Sequence, residues 1–167
     1  MEKLFSPWRS KYISSFVGGE ESDRCVLCDA YASSEDEESL VVYRGNEAFV
    51  LMNKFPYNSG HLMVLPTRHT SDFPSLNGSE LLETMALLAA SERALRELFH
   101  PQGFNIGMNL GRAAGAGIDT HLHWHIVPRW GGDTNFFPLI GETKVLPETL
   151  EQTYSRLQGY FNPKGRA

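Results

Sequence analysis

Three short apolar runs stand out in the first half of the chain, each ended by polar or small residues. They are Leu40–Tyr43, Ala48–Met52 and Leu62–Leu65. Gly45-Asn46 separates the first two runs, and this pair is typical of a hairpin turn. A polar connection, Phe55–Gly60, precedes the third run. The pattern predicts three antiparallel strands.

A long amphipathic segment follows, from Ser79 to Phe99. Just before it, Asn77 and Glu80 have the spacing of a capping box, in which each side chain accepts from the other residue's backbone N–H. Apolar residues recur at helical spacing along one stripe, interrupted by Glu92: Leu81, Met85, Leu88, Leu95 and Phe99. Pro147 to Phe161 is predicted as a second helix, with Pro147 near its first turn.

The region between these helices contains two further strands. Apolar residues alternate with polar or small ones in Phe104–Leu110, and again in His121–Val127, which Pro128 closes. The polar, acidic segments Gly18–Asp23 and Ala32–Ser39 are predicted as loops. Together these elements predict an α+β fold with an antiparallel sheet of about five strands, one long helix and a C-terminal helix.

The length and composition indicate one ordinary globular domain. We expect it to span residues 1–167, with a core of about 25–130 and a C-terminal extension of 131–167. The net charge of −5 gives no reason to expect nucleic-acid binding. No apolar run approaches the roughly 20 residues of a membrane span. The first residues, MEKLFSPWRS, lack the apolar core of a signal peptide, so a cytoplasmic location is expected.

The two cysteines, Cys25 and Cys28, have a spacing found in both metal sites and redox motifs. A single pair in a cytoplasmic chain does not indicate a disulfide scaffold. A redox pair normally begins a helix within a βαβ unit, and no such pattern follows this one. Half of a zinc site is therefore the better interpretation.

Three histidines alternate along the predicted fifth strand: His121, His123 and His125. Side chains two residues apart in a strand share a face, so the rings would form a file with about 6.6–7 Å between neighbours. Packing alone explains such a file poorly, because each buried imidazole needs partners for its nitrogens. A metal centre made of all three is awkward for one tetrahedral ion with bonds of about 2 Å. A phosphate chain running along the file fits the spacing, while the intervening apolar residues bury against the helix.

A loop of small residues, Gly111–Gly117, directly precedes the histidines. Its glycines, including Gly115 and Gly117, would let backbone amides approach an anion closely. Arg112 and Arg129 could add positive charge, although a solvated role is the ordinary one for a surface arginine. The loop therefore supports a phosphate site.

Asn53, at the end of the second strand, is the candidate for nucleoside recognition. Its carboxamide offers the donor and the acceptor that paired ribose hydroxyls need. Leu51 shares a face with Asn53 and would pack on the base. The alternative role for Asn53 is to cap a turn. Trp130 is a candidate for stacking on a second base, and ordinary packing is its alternative.

The segment Gly115–Trp130 resembles the signature of the histidine triad (HIT) family. Two other pieces resemble the same family: residues 53–66 are similar to its nucleoside-binding hairpin, and Cys25 and Cys28 with His69 are similar to the zinc ligands of a subset of members. The segments 131–137 and 141–147 resemble, more narrowly, the triad-type diadenosine tetraphosphate (Ap4A) phosphorylases.

The resemblance implies catalytic roles for four histidines. His123 would be the nucleophile, His125 would bind and polarise the phosphates, and His61 would lie in the shell behind the triad. His121 would support the other rings or serve as a zinc ligand.

The resemblance also implies binding roles. Asn53 would hold the ribose hydroxyls, and Asn109 with the loop after it would contact phosphate oxygens. A structural zinc ion would be held by four residues: Cys25, Cys28, His69 and His121. Members are commonly homodimers, and we carry that expectation over.

The sequence departs from the family at one place. Many members carry Gln-Ser or Gln-Thr where this chain has Gly117 and Ile118. Thr120 or the loop amides would have to replace the missing hydroxyl contact to phosphate. The departure makes the plain dinucleoside-triphosphate hydrolases a poorer match.

The expected function is cleavage of a nucleotide's phosphate chain through a nucleotide attached covalently to His123. A neutral imidazole suits this role, because its ordinary pKa is about 6.5. The expected reaction is that of an Ap4A phosphorylase, which converts Ap4A and phosphate to ADP and ATP. The alternatives are hydrolysis of a dinucleoside polyphosphate or a nucleoside phosphoramidate, and a zinc-stabilised nucleotide-binding interaction protein without turnover. No organic cofactor, nucleic acid or membrane partner is expected.

Overall fold

The computed structural model describes residues 24–133 and 146–162. The helices and strands are α1 Val26–Ala32, α2 Asp36–Ser39, β1 Val41–Arg44, β2 Ala48–Met52, β3 Leu62–Pro66, α3 Gly78–Phe99, β4 Gly103–Met108, β5 Trp124–Arg129 and α4 Leu150–Phe161. None of the helices in these two ranges is long and apolar enough to cross a membrane. The predicted loop Gly18–Asp23 and most of the two tail segments lie outside the described residues.

The five strands form one sheet in the order β1-β2-β3-β5-β4, and each neighbouring pair is antiparallel. The predicted α+β fold with a five-stranded antiparallel sheet is therefore confirmed. β5 lies between β3 and the edge strand β4, so His125 pairs with Met63 on one side and with Gly107 on the other. The histidine segment thus enters the sheet where strands flank it on both sides.

Helix α3 covers one face of the sheet and begins as predicted. Asn77 Oδ1 accepts from the Glu80 N–H at 2.9 Å, and Glu80 Oε2 accepts from the Asn77 N–H at 2.8 Å. The buried stripe differs from the prediction: Met85 is 47% exposed, whereas Thr84 and Ser91 are buried. Thr84 and Ser91 face the core although they are polar. The buried face of α3 therefore runs through these two residues and leaves Met85 at the surface.

The apolar residues between the histidines bury beneath α3, as expected. Leu122, Trp124 and Ile126 belong to the same core cluster as Leu88 and Leu95 of the helix. A smaller cluster lies on the other face of the sheet. In it, Leu27 of α1 packs with Val41, Phe49, Leu51, Met63 and Leu65. The two faces explain why β2 and β3 are buried throughout.

The loop predicted over Ala32–Ser39 is wrong, because it contains the one-turn helix α2. Its residues are acidic and small, which hid the helix, yet acidic side chains are favourable in a first helical turn. The cysteine pair lies at the start of a helix, contrary to the expectation: Cys25 is the N-cap of α1 and Cys28 lies within it.

Strand ends also differ from the predictions. β4 covers Gly103–Met108 rather than Phe104–Leu110, and β5 covers Trp124–Arg129 rather than His121–Val127. Pro128 lies inside β5 instead of closing it. β3 pairs with β5 only as far as Ile126, and the Pro128 carbonyl accepts from Asn58 Nδ2 on that same side. The missing N–H of the proline therefore costs no hydrogen bond between strands.

The predicted C-terminal helix is confirmed and packs against the sheet. It starts later than expected, because Thr149 is the N-cap and forms a capping box with Gln152, so Pro147 precedes the helix. Tyr154 donates its hydroxyl to the Val41 carbonyl at 3.1 Å.

Candidate active site

His123 is held in one tautomer by the backbone. Its Nδ1 lies 2.8 Å from the carbonyl oxygen of His121. A carbonyl only accepts, so Nδ1 carries the proton, and the neutral ring has its lone pair on Nε2. Burial lowers the pKa of His123, against the opposing effect of this hydrogen bond, and the residue is 5% exposed. The ring is thus neutral near neutral pH, and its Nε2 lone pair makes it a candidate nucleophile.

His125 is fixed in the opposite tautomer by a chain of hydrogen bonds. The Tyr57 N–H donates to His61 Nδ1 at 3.1 Å, so His61 carries its proton on Nε2. That Nε2 lies 2.9 Å from His125 Nδ1, which must therefore accept. His125 consequently carries its own proton on Nε2. Such an arrangement could let His123 attack while His125 donates a hydrogen bond.

The three histidines do not form one file as predicted. The rings of His123 and His125 are adjacent, with centroids 4.9 Å apart. His121 and His123 both precede β5, and the His121 imidazole is directed at the Pro66 carbonyl and the cysteines, with its ring centroid 5.1 Å from that of His69. The file is reduced to two rings, with His61 behind the second.

Four side chains cluster beside the triad: Cys25, Cys28, His69 and His121. One potential ligand atom from each lies within 4.8 Å of the others. Cys28 Sγ is 3.3 Å from His69 Nδ1 and 3.4 Å from His121 Nδ1, and Cys25 Sγ is 3.5 Å from His121 Nδ1. Two sulfurs and two imidazoles around one point are a donor set that suits a tetrahedral ion. The predicted ligands thus form a cluster that could hold a metal ion.

His121 is oriented toward this cluster by its second nitrogen. Nε2 lies 2.9 Å from the Pro66 carbonyl oxygen and must donate, which leaves the lone pair on Nδ1, facing both sulfurs. Burial lowers the pKa of His121, so the ring is neutral, as a ligand must be. Burial, with the neighbouring Cys25 thiol, raises the pKa of Cys28 to about 11. A nearby cation would reverse that effect.

Leu51 lies on the same face of the sheet as His125. It pairs with Met63, which pairs with His125, which pairs with Gly107, so one row crosses four strands. Asn53 follows β2, and its Oδ1 accepts from the Phe55 N–H at 2.8 Å. This bond is the turn-capping role given above as the alternative, and it leaves the amide Nδ2 as the group for a ligand.

The small-residue loop bonds largely to itself. The amides of Ala114, Gly115 and Ala116 donate to carbonyl oxygens of Gly111 and Arg112 within the loop. Gly115 adopts φ +96°, the conformation that favours glycine.

The remaining predicted residues lie around this loop and beyond it. Thr120 and Gly117 are exposed, and Asn109 follows β4. Arg112 pairs with Asp119 at 2.9 Å. Trp130 Nε1 donates to the Phe99 carbonyl of α3 at 3.3 Å, which places the indole on the helix side of the sheet.

A cleft of about 470 Å³ opens beside His125, between β4 and the loop that carries Tyr57. Asn58, Asn105 and Arg129 line it, and Asp133 bonds to two of these side chains: its Oδ2 accepts from Asn58 Nδ2 at 2.7 Å and from Arg129 Nε at 2.6 Å. Sequence reasoning missed these residues apart from Arg129. Their spacing along the chain follows no motif, and only the strand order brings them together.

Comparisons with known proteins agree with this geometry. The model of the HIT domain family matches residues 34–132. AP-4-A phosphorylase of Mycobacterium tuberculosis (strain ATCC 25618 / H37Rv) is 39% identical over 157 residues, which cover 92% of this chain and 80% of that protein. An uncharacterised HIT-like protein of Methanocaldococcus jannaschii is 30% identical over 135 residues, covering 81% of this chain and 99% of that protein.

Two solved structures share the fold. A zinc-bound histidine triad family protein from Mycobacterium smegmatis superposes with a TM-score of 0.66 at 25% identity, covering 85% of this chain and 96% of that chain. Plasmodium falciparum diadenosine triphosphate hydrolase, in complex with cyclomarin A, gives a TM-score of 0.63 at 20% identity, covering 92% and 98%.

Proposed function

The chain belongs to the HIT domain family, and from this premise we propose that it cleaves dinucleoside polyphosphates through a nucleotide bound covalently to His123. The reaction is that of an Ap4A phosphorylase: Ap4A and phosphate give ADP and ATP. The similarity to the mycobacterial AP-4-A phosphorylase, over most of both chains, supports this choice of substrate and acceptor.

The hydrogen bond from His123 Nδ1 to the His121 carbonyl is the observation that carries the proposal. It fixes the reactive lone pair on Nε2 without using a charged partner. The neighbouring His125 carries its proton on Nε2, because its Nδ1 accepts from His61. A nucleophile and a hydrogen-bond donor therefore sit with ring centroids 4.9 Å apart, a spacing that suits one phosphoryl group.

In the first step, the His123 Nε2 lone pair attacks the phosphorus next to one adenosine. The bond from that phosphorus to the bridging oxygen breaks, and its electron pair leaves with ATP. His125 donates a hydrogen bond to phosphoryl oxygen and stabilises the developing charge. A polyphosphate leaves as an anion, so the step needs no strong acid.

In the second step, an oxygen of inorganic phosphate attacks the same phosphorus. The phosphorus–nitrogen bond breaks, its electron pair returns to His123 Nε2, and ADP is released. Water in place of phosphate would give AMP, which is the hydrolase alternative. A protein that binds nucleotide without turnover would give neither product.

A product assay separates these functions. Ap4A is incubated with the protein with and without phosphate, and the products are resolved by chromatography. We expect ADP and ATP in equal amounts only when phosphate is present. Mass spectrometry of protein quenched before phosphate is added should show an adenylyl group that His123→Ala cannot acquire. AMP and ATP in both conditions would indicate a hydrolase, and saturable binding without products would contradict the enzymatic proposal.

We also propose that the cluster of Cys25, Cys28, His69 and His121 holds one structural zinc ion. The donor set and spacing support it, as does the zinc-bound relative of M. smegmatis. The ion would supply structure rather than chemistry, because all four protein ligands close a tetrahedral site. The ligands join the start of α1 to the residue whose carbonyl orients His123.

A homodimer of single-domain subunits completes the proposal. Within residues 24–133 and 146–162, β4 pairs only with β5, and edge strands of this kind offer backbone groups to a second copy. Ile106 on this strand is 51% exposed. Light scattering after size-exclusion chromatography tests the dimer, and Ile106→Lys should shift it to monomer.

A further inference from the structure

The cleft beside His125 continues the line of the reacting phosphates. Along β5, His125, Val127 and Arg129 alternate on one face and all three line the cleft. His123 precedes the strand, with its ring centroid 4.9 Å from that of His125. From His125 to Arg129 the strand advances about 13 Å, the reach of several linked phosphates. A substrate attacked at His123 would extend its leaving group in this direction.

The described lining of the cleft is rich in hydrogen-bond donors and includes no carboxylate. Three of its side chains can present N–H donors to a ligand: Asn105, Asn109 and Arg129. Both N–H groups of Asn58 are used, by the Pro128 carbonyl and by Asp133 Oδ2. Its only other ionisable side chains are His125 and Tyr57. A cleft of this composition suits a polyanion rather than a cationic ligand.

Asp133 fixes the guanidinium of Arg129 from outside the cleft. Its two oxygens accept from Nε at 2.6 Å and from Nη2 at 2.8 Å, and Arg129 holds the pKa of this buried carboxyl well below its usual range. The pair is neutral as a whole. The cleft therefore offers donors on rigid supports rather than a net positive charge.

Arg129 in turn sets the orientation of the Asn105 amide. Arg129 Nη1 donates to Asn105 Oδ1 at 2.7 Å, so the acceptor end of this amide is occupied. The Asn105 Nδ2 group, with two N–H donors, is the end left for a ligand. An amide that could accept or donate is thereby made a donor.

Gly107 leaves space directly opposite His125. The two residues pair across β4 and β5, and a Cβ built on Gly107 meets no described atom within 4 Å. Its backbone has no positive φ, so a larger side chain is sterically allowed there. The space is open because the residue is small, and a side chain would fill it.

From these observations we infer that the cleft between His125 and Arg129 binds the polyphosphate of the departing nucleotide, with Asn105 as a specificity-determining donor. The inference rests on the proposed function for the identity of its ligand. Nothing in the reaction at His123 requires Asn105, so the two ideas can fail separately.

Binding of inorganic tripolyphosphate tests the inference without a nucleoside. Isothermal titration calorimetry measures its Kd and that of AMP for the wild type, Asn105→Asp and Gly107→Leu. Asn105→Asp keeps the acceptor for Arg129 but replaces the donor with a negative charge. We expect tripolyphosphate to bind about tenfold more weakly or worse to both variants, while the AMP Kd changes by less than about twofold.

Gln102→Glu is the matched control, because it makes the same amide-to-acid change at the residue before β4, outside the cleft. Its Oε1 accepts from the Gly131 N–H, and a carboxylate keeps that bond. It should bind tripolyphosphate as the wild type does. Thermal melting shows whether each variant is folded. If Asn105→Asp does not fold, the binding measured for Gly107→Leu decides the result.

Three results would overturn the inference: a wild type that does not bind tripolyphosphate, folded variants that bind it normally, or folded variants that lose AMP binding equally. The Ap4A product assay is run on the same samples. Tripolyphosphate binding through Asn105 without ADP release would disprove the proposed function and leave the cleft assignment intact. ADP release from Ap4A together with unaltered tripolyphosphate binding in the variants would support the proposed function and disprove the cleft assignment.

Discussion

His121 holds His123 with its backbone while its own side chain faces the two cysteines. The carbonyl oxygen of His121 accepts the Nδ1–H of His123 at 2.8 Å, and its imidazole Nδ1 lies 3.4 Å from Cys28 Sγ. One residue thus joins the candidate metal cluster to the candidate nucleophile.

His123→Ala should abolish turnover of Ap4A while nucleotide binding persists. The residual rate should fall below about a hundredth of the wild-type rate, because the covalent step has no substitute nucleophile. His100→Asn is the control, since His100 is exposed, ends α3 in the left-handed conformation that asparagine tolerates, and does not line the cleft. Substantial activity in the His123 variant would disprove the covalent mechanism.

The kcat/KM for Ap4A should stay level above pH 6.5 and decline only on the acid side. Burial lowers the pKa of His123 from its ordinary value of 6.5, so the reactive neutral form persists below that pH and is lost as pH falls through the folded pKa. The parameter kcat/KM for the dinucleotide reports the first step, so titration of the phosphate acceptor does not enter. An acid limb centred above 6.5 would contradict the assigned tautomer and burial.

Protein purified without chelator should contain one zinc ion per chain. Cys28→Ser or His69→Asn should remove it and lower the Tm by about 5 °C or more, the shift that roughly 1–2 kcal/mol gives in a chain of this size. Because His121 orients His123, kcat should fall more than KM rises. Elemental analysis and calorimetry measure the first two effects. Absence of zinc from the wild type would remove the claim.

Asn53→Ala should weaken the binding of a ribonucleotide by about 1–3 kcal/mol, the scale of a lost polar pairing. The variant loses the Nδ2 donor together with the acceptor for the Phe55 N–H, so comparing two ligands separates ribose binding from the turn. A 2′,3′-dideoxyribonucleotide should bind the variant and the wild type alike. Equal losses for both ligands would assign Asn53 to the turn alone.

Glu80 should make folding stability depend on pH well below neutrality. Arg68 holds it through two bonds, at 2.7 and 2.9 Å, and lowers its pKa from 4.5 to about 2. The stabilisation is therefore present above pH 4.5 and is lost as pH falls toward 2. Urea unfolding should show a wild-type advantage over Glu80→Gln that shrinks across this range. Glu92→Gln, which removes an exposed pair with Arg96, should show little such change.

The sequence was most informative where function and local chemistry share one segment. The alternation of His121, His123 and His125, the capping box of Asn77 and the strand pattern all depend on near neighbours. No local sequence pattern indicated which distant residues would contact one another in the site. The zinc cluster could be anticipated only through the family resemblance, and the bond between His61 and His125 joins residues 64 positions apart.

The errors have physical causes of the same kind. Thr84 and Ser91 are buried although they are polar, so the buried face of α3 differs from the apolar stripe predicted for it. Pro128 can lie inside β5 because the pairing with the neighbouring strand β3 has already ended at Ile126. The turn of His121 out of the histidine file depends on its bonds to Pro66 and on the cysteines, which a strand periodicity cannot represent.

The hydrogen-bond chain from Tyr57 through His61 to His125 limits which leaving groups the site can expel. Its first proton belongs to a peptide amide, which cannot be given up near neutral pH. If His125 released its Nε2 proton outright, His61 could replace it only by becoming an anion itself. The chain is therefore a fixed donor with no spare proton, and a departing group must be stable as an anion. Polyphosphates meet this condition, whereas an alcohol or an amine would have to bring its own acid.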